Sequence, residues 1–309
     1  MNSVLDSASM RGVWSATPTP LCSDLTVDVA AVPGLVDHHL RLGVRGLFLG
    51  GTCGEGPWLP HSQLRRFVRA VVEAAAGRLV LAVQVSDNSA ARIAENTRAA
   101  AEDGADLAVI APPSFLLNAT AENLVALYSQ AIESSPLPIG IYDRGTNGAV
   151  VVPNEALAEI YGLQKVVLLK DSSCNPERRD IALAARAKRP GLALLDGDEF
   201  HCVDYIAAGY DGLLLGGGIF NGVLAGRIIE AVQAGDLAQG KALQERMNQL
   251  MYDVYGGETI TCWLTGLKEL LVRLGVFSTN ASFLNYPLTP ECSAAIDAAI
   301  ERERDVLLP

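Results

Sequence analysis

The stretch Lys165-Val-Val-Leu-Leu-Lys170-Asp171-Ser172-Ser173 puts a lysine at the end of an unbroken apolar run, in a chain that has five lysines against nineteen arginines. Val and Leu in an uninterrupted row mark a strand buried on both faces, the pattern of a parallel sheet covered by helices. The residue that closes such a run stands at the mouth of the fold with apolar walls beneath it. Burial disfavours an ammonium ion, so a lysine there is available as a free amine able to attack a ketone and form a Schiff base. The same position also suits a lysine that snorkels to water over the strand end. The rest of the chain decides between the two.

Working outward, short apolar runs recur along the chain, at 12–16, 46–49, 79–85, 107–111, 139–142, 166–169, 192–195 and 212–215. Stretches with helical spacing of apolar residues separate them, at 29–42, 63–76, 90–102, 121–134, 154–161, 176–187 and 199–208. Several of these open on Ser, Thr or Asn, residues whose side chains cap free helix N–H groups. Strands alternating with helices predict a parallel sheet, and eight of them predict closure into a (β/α)8 TIM barrel. An open doubly wound sheet would need a dinucleotide or nucleotide fingerprint, and none is found. The barrel is expected to occupy residues 1–230. Residues 231–309 read as a C-terminal helical extension, with helices at 237–255, 261–274 and 290–306.

Composition excludes several functions. A net charge of -11 and a pI near 4.9 argue against nucleic acid, anionic membranes and polyanionic partners, which are gripped mainly by clustered Lys and Arg. No segment reaches membrane-spanning length. The first eleven residues carry an acidic residue, no basic start and no apolar centre, so they do not read as a secretory signal, and a cytoplasmic protein is expected. Six cysteines (Cys22, Cys53, Cys174, Cys202, Cys262, Cys292) lack the spacing of a zinc knuckle and are expected as reduced thiols. The four histidines offer no better metal set, with His38 and His39 in a helical stretch and His61 and His201 alone.

In a TIM barrel the chemistry sits where the strands end. After the second run comes Gly50-Gly51-Thr52-Cys53-Gly54-Glu55-Gly56, whose glycines let backbone N–H groups converge and whose Thr52 adds a hydroxyl. That is a small anion nest suited to a carboxylate, or simply a tight loop. After the fifth run stands Tyr142, followed by Asp143 and Arg144. A phenol at that mouth can pass protons to a substrate oxygen, or it can cap the core with its hydroxyl wet. Asp196-Gly197-Asp198-Glu199 follows the seventh run and Gly216-Gly217-Gly218 the eighth; both give a ligand room or close turns. A lysine, a phenol, an anion nest and two glycine-rich rims on one face together favour a Schiff-base enzyme for a 2-keto acid.

These motifs resemble the dihydrodipicolinate synthase and N-acetylneuraminate lyase superfamily of class I aldolases and dehydratases. The likeness spans essentially the whole chain. It is carried by Thr17-Pro18-Thr19-Pro20, by the loop Gly51-Thr52-Cys53-Gly54-Glu55, by Tyr142, by Lys170-Asp171-Ser172-Ser173 and by Gly197-Asp198. The resemblance implies that Lys170 forms the imine with pyruvate or a longer 2-keto acid, that Tyr142 is the general acid/base, and that the loop with Gly51, Thr52 and Cys53 holds the carboxylate. Gly197 and Leu214 are expected at the substrate-binding rim, and Glu55 is expected to orient the loop rather than touch substrate. The resemblance further implies a homo-oligomer, a tetramer, with no metal and no organic cofactor, because an imine supplies the electron sink that zinc supplies in metal-dependent aldolases.

Departures from the family pattern bear on the substrate. Lysine-pathway synthases carry a tyrosine pair after strand four, where this chain has Ser114-Phe115. They also carry an arginine for the second substrate's carboxylate where Asn147 falls here. Cys53 replaces the second hydroxyl of the loop, and Leu214-Leu215 replaces an Ile-Ser pair. Lyases of 2-keto-3-deoxy sugar acids, acting by cleavage or dehydration, do not need the missing arginine, so that broader class is expected. Arg144 then stands either as the reader of a distal hydroxyl or carboxylate or as a surface arginine in a turn. Two other readings are a keto-acid-binding barrel without turnover, suggested by Phe115 and Cys53, and a phosphate-binding isomerase using residues 216–218, which lacks a nearby basic residue.

Overall fold

Each of the eight apolar runs forms a strand in a computed structural model that describes Leu5 and residues 7–309. The strands are β1 (Gly12–Ala16), β2 (Gly46–Leu49), β3 (Val80–Gln84), β4 (Leu107–Ile110), β5 (Ile139–Asp143), β6 (Val166–Asp171), β7 (Ala193–Asp196) and β8 (Gly212–Leu215). All pair in parallel, and β8 returns to β1 to close the barrel. The chain is therefore a (β/α)8 TIM barrel, and it continues into a C-terminal helical extension. The reading of the amino-terminal segment as lacking a secretory signal rests in part on residues 1–4 and 6, which lie outside the described residues.

Helices α1 (Val32–Arg41), α2 (His61–Ala75), α3 (Ala90–Glu102), α4 (Ala121–Glu133), α5 (Asn154–Gly162), α6 (Pro176–Lys188), α7 (Cys202–Ala207) and α8 (Gly218–Gln233) cover the barrel. Ser89, Thr120 and Asn175 cap α3, α4 and α6 by accepting from backbone N–H groups of the first turn. The expected helix 29–42 divides into a short 3-10 turn, Val29–Ala31, and α1. The expected helix 199–208 is shorter, because Glu199 turns its carboxylate to the Gly217 N–H instead of entering a helix. Sequence pattern did not isolate α8 at all. Ten of its residues are buried and its first half is apolar nearly all round; only Arg227, Glu230 and Gln233 in its second half are exposed, which leaves a weak helical period.

The extension comprises α9 (Leu237–Tyr255), α10 (Trp263–Arg273), α11 (Pro290–Arg302) and α12 (Arg304–Leu307). It packs on the barrel through α9 against α7 and α8, while α12 returns to α8. Among the described residues no helix is long and apolar enough to cross a membrane.

Strand register decides what faces the barrel interior. Tyr142 pairs with Lys170 across β5 and β6, and the next residues, Asp143 and Asp171, pair with each other. Asp171 pairs in turn with Asp196 on β7. Successive side chains on a strand point to opposite faces. The phenol and the amine therefore share the inner face, and the three aspartates line the outer one.

Candidate active site

Lys170 is the penultimate residue of β6, one position inside the strand rather than beyond it. Only 5% of it is exposed. Its Nζ lies 4.2 Å from the Tyr142 ring centre and 5.1 Å from that of Phe48, and those two rings meet edge to face at 5.8 Å. Among the described residues no carboxylate lies within ion-pair distance of the amine. The amine is thus held against two aromatic faces.

The Thr52 and Ser172 hydroxyls lie beside that of Tyr142. Burial pushes the phenol's pKa up, but the positive charges of Lys170 and Arg144 and those two hydroxyls outweigh burial and leave it below the ordinary phenol value. A phenol that yields its proton more readily, packed on the amine, is placed for proton transfer at the same carbon centre.

The outer-face aspartates make this geometry rigid. Each accepts the backbone N–H two residues further on: Asp143 from Gly145 at 2.8 Å, Asp171 from Ser173 at 3.0 Å and Asp196 from Asp198 at 2.8 Å. Three neighbouring strands thus leave the barrel through the same aspartate turn. Asp143 also receives Arg178 at 2.7 Å and the Tyr161 hydroxyl at 2.9 Å, and Asp171 receives Tyr210 at 2.7 Å. Burial raises Asp171 above the usual carboxylate range, and it raises Asp196 well above. Gly197 completes the arrangement, since a Cβ there would lie 2.1 Å from Ser172 Oγ and 3.0 Å from Lys170 Cε. Only glycine leaves the lysine room to move.

The loop after β2 is built as a nest. Its internal bonds run from Glu55 N to Thr52 O and from Gly56 N to Gly51 O. Among the described residues the Thr52 and Cys53 N–H groups donate to no backbone oxygen, which suits them to a carboxylate. Thr19 in the Thr17–Pro20 segment donates to Gly54 O at 2.6 Å and props the loop from below. Cys53 is buried with Sγ 3.8 Å from Gly216 O, and burial drives its thiol up to about 12. It therefore stays protonated, with its Sγ–H directed at Gly216 O. Leu214 lies inside β8, fully buried and in register with Trp14, and it lines no part of the cavity.

Glu55 takes a left-handed backbone, φ 57°, which is unfavourable outside glycine. Its side chain explains why that conformation persists. Fully buried, it forms an ion pair with Lys268 of α10 and accepts from Ser282 Oγ at 2.8 Å and Phe283 N at 2.7 Å. The extension thus holds the anion nest in shape. It also reaches the opposite rim, where the Tyr255 hydroxyl of α9 and Gly217 N donate to Glu199 at 3.0 and 2.7 Å. With the Gly217 N–H taken by a carboxylate, that rim is ill-suited to phosphate.

Sequence reading missed Lys268. The signal was present: it follows Leu264 by four residues and precedes Leu271 by three, so it lies on the apolar stripe of its helix. Replacing Lys268 with methionine strands a buried carboxylate, and the expected loss is about 3–5 kcal/mol of stability, read from urea unfolding. Adding Glu55→Gln to that variant should restore part of the loss, because the stranded charge is gone. Equal losses in the single and double variants would show that the ion pair does not hold the loop.

A cavity of about 620 Å³ opens over β2, β3 and β5, walled by Thr52, Gln84, Asn88, Ser114, Arg144 and Asn147 among others. Lys170 and Tyr142 lie beside it rather than on its wall, and Thr52 and Arg144, which both act on Tyr142, are the join. Among the described residues no three His, Cys, Asp or Glu side chains are grouped to hold a metal ion.

Comparison with known proteins gives a consistent result. The model of the dihydrodipicolinate synthetase family matches residues 9–300. A 4-hydroxy-tetrahydrodipicolinate synthase of Nitrobacter hamburgensis is 27% identical over 290 residues, covering 94% of this chain and 95% of its own. One from an Anaeromyxobacter species is 29% identical over 295 residues, covering 94% and 96%. The dihydrodipicolinate synthase structure from Bacteroides thetaiotaomicron superposes with a TM-score of 0.86 at 26% identity, covering 98% of this chain and all (100%) of that one.

Proposed function

This chain belongs to the dihydrodipicolinate synthetase family of class I, lysine-dependent lyases, and from that premise we propose that it binds a 2-keto acid as an imine on Lys170 and acts on a 2-keto-3-deoxy sugar acid by cleavage or dehydration. The observation that carries this reading is the pairing of Lys170 and Tyr142 on the inner face, 4.2 Å from amine to ring. Neutral Lys170 attacks the C2 ketone while Thr52 and the neighbouring N–H groups hold the C1 carboxylate. Tyr142 passes the proton that lets the carbinolamine lose water. The protonated imine then accepts an electron pair at C3: from the C3–C4 bond as Tyr142 takes the C4 hydroxyl proton and the aldehyde leaves, or from a C3–H bond whose proton Tyr142 takes and then delivers to the C4 hydroxyl as it departs as water.

Synthesis from pyruvate and an amino aldehyde is the second reading, favoured by the names of the relatives. Two observations weigh against it. Phe115, after β4, is 64% exposed and has no hydroxyl to relay a proton, and Asn147 is exposed where the family's arginine falls. A charge-assisted bond to a carboxylate that is never made leaves that substrate weakly held. Assayed beside a dedicated synthase, the protein should condense pyruvate with aspartate semialdehyde negligibly, while a screen of 2-keto-3-deoxy acids should yield pyruvate or a dehydrated keto acid. Synthase activity matching the dedicated enzyme would reverse the two readings.

A further inference from the structure

Two thiols outside the active site meet where three helices of the extension converge. Cys262 is the N-cap residue of α10, Cys292 lies in the first turn of α11, and both are buried. Each sulfur rests on the carboxyl end of α9. A Cβ on Gly256, the residue that closes that helix, would lie 2.7 Å from Cys262 Sγ, and Cys292 Sγ is 3.5 Å from Val254 O and 3.7 Å from Asp253 O. Gly266, one turn into α10, makes this approach possible: a Cβ there would stand 1.9 Å from Val254 O and 3.4 Å from Cys292 Sγ. The two thiols thus lie side by side.

The pair is unequal. Burial pushes the Cys262 thiol up, but the Thr289 N–H, the Thr261 hydroxyl and the Cys292 thiol beside it outweigh burial and leave it below the ordinary thiol value. Burial and the neighbouring sulfur push Cys292 up to about 12. One sulfur yields its proton readily and the other keeps it, which suits an attacking and a resolving thiol. The turn that covers Cys262 is strained. Gly256 and Gly257 take left-handed backbone, and so does Ile260 at φ 54°, where a β-branched side chain is an outlier. Exposed Thr261 shields Cys262, its hydroxyl 3.8 Å from Sγ. Strain in this turn lowers the cost of opening it to a small oxidant.

We propose that Cys262 and Cys292 are a modification site, a dithiol that a hydroperoxide closes into a disulfide between α10 and α11. The Cys262 thiolate attacks a peroxide oxygen, the O–O bond breaks, and a sulfenic acid forms with loss of hydroxide. Cys292 then attacks the Cys262 sulfur, the S–O bond breaks, and water leaves with the Cys292 proton. Two thiols are oxidised while one peroxide is reduced to two waters. The bond acts on α10, whose Lys268 lies less than two turns beyond Cys262 and holds Glu55, and through it the anion nest. Drawing the start of α10 toward α11 disturbs that ion pair, so oxidation weakens carboxylate binding without touching Lys170 or Tyr142. This last step rests on the imine chemistry at Lys170; the disulfide does not.

In the test, the full-length protein is treated with a small excess of hydrogen peroxide, then unfolded and alkylated with N-ethylmaleimide. Two of its six thiols should escape labelling, peptide mapping should join the peptides of Cys262 and Cys292, and dithiothreitol should restore both. In Cys292→Ser the attacking thiol has no partner, so dimedone should trap Cys262 as its sulfenic acid. In Cys262→Ser, Cys292 should stay reduced. Oxidised parent protein should need about 5-fold more pyruvate to half-saturate borohydride trapping, the lower range of a coupling between distinct sites, and dithiothreitol should reverse the change. Six labels with and without peroxide, or a bond between any other cysteines, would overturn the modification site. Unchanged half-saturation in protein that carries the bond would overturn its link to the nest. Pyruvate that is never trapped, even by the reduced protein, would overturn the imine reading and leave the thiol count to judge the pair.

Discussion

Replacing Lys170 with arginine or alanine should remove turnover, a fall of about 10⁴- to 10⁶-fold, the range seen when a covalent nucleophile is lost. The two substitutions separate possible roles. Arginine keeps a positive charge beside Tyr142 but cannot be deprotonated, so it preserves any electrostatic part and deletes the nucleophile. Alanine deletes both. No other lysine can take over. Lys165 donates to the carbonyls of Glu133 and Ser135 at 2.8 and 2.7 Å, at the start of β6 rather than at its carboxyl end. Lys188 and Lys241 are exposed on α6 and α9, and Lys268 is paired with Glu55. Both variants should retain the circular dichroism of the parent, since the lysine makes no ion pair whose loss would strand a charge. A Lys170→Arg protein retaining a tenth or more of the parent rate would remove the nucleophile from the mechanism.

Tyr142→Phe should cost about 100- to 10,000-fold in kcat, the contribution of one positioned acid/base, with imine formation slowed as well. The ring stays against Lys170 and Phe48, so only the hydroxyl, beside Thr52 and Ser172, is lost. The pH profile identifies the group. A phenol is active in transfer while it can hold its proton, and here the nearby charges bring its proton loss below the ordinary value near 10. Activity in the parent should accordingly decline with rising pH before pH 10 is reached, and the residual activity of the phenylalanine variant should lack that limb. A loss of less than a few-fold, or an unchanged alkaline limb, would reduce Tyr142 to a packing residue.

The barrel was legible in the sequence because parallel strands covered on both faces are written as short apolar runs, and the run ending at Lys170 is one of them. Lys170, Tyr142 and the loop at Thr52 could be found for the same reason, since each directly follows or closes a run. Residues that act by long-range contact could not. Glu55 and Lys268 lie 213 positions apart, and nothing local to either announces the other. The series Asp143, Asp171 and Asp196 is visible as three acidic residues after three runs, but their alignment emerges only when the register of β5, β6 and β7 is fixed. Helix α8 was hidden by its own burial. For Arg144, residue type left two readings open, and the structure adds that the side chain is half-buried on the cavity wall.

Borohydride reduction in the presence of pyruvate, followed by intact-mass measurement and peptide mapping, tests the central claim most directly. The account predicts one reduced pyruvyl adduct per chain, carried on the peptide that contains Lys170 and absent from Lys170→Arg. An adduct on any other lysine, or no adduct at saturating pyruvate, would contradict it.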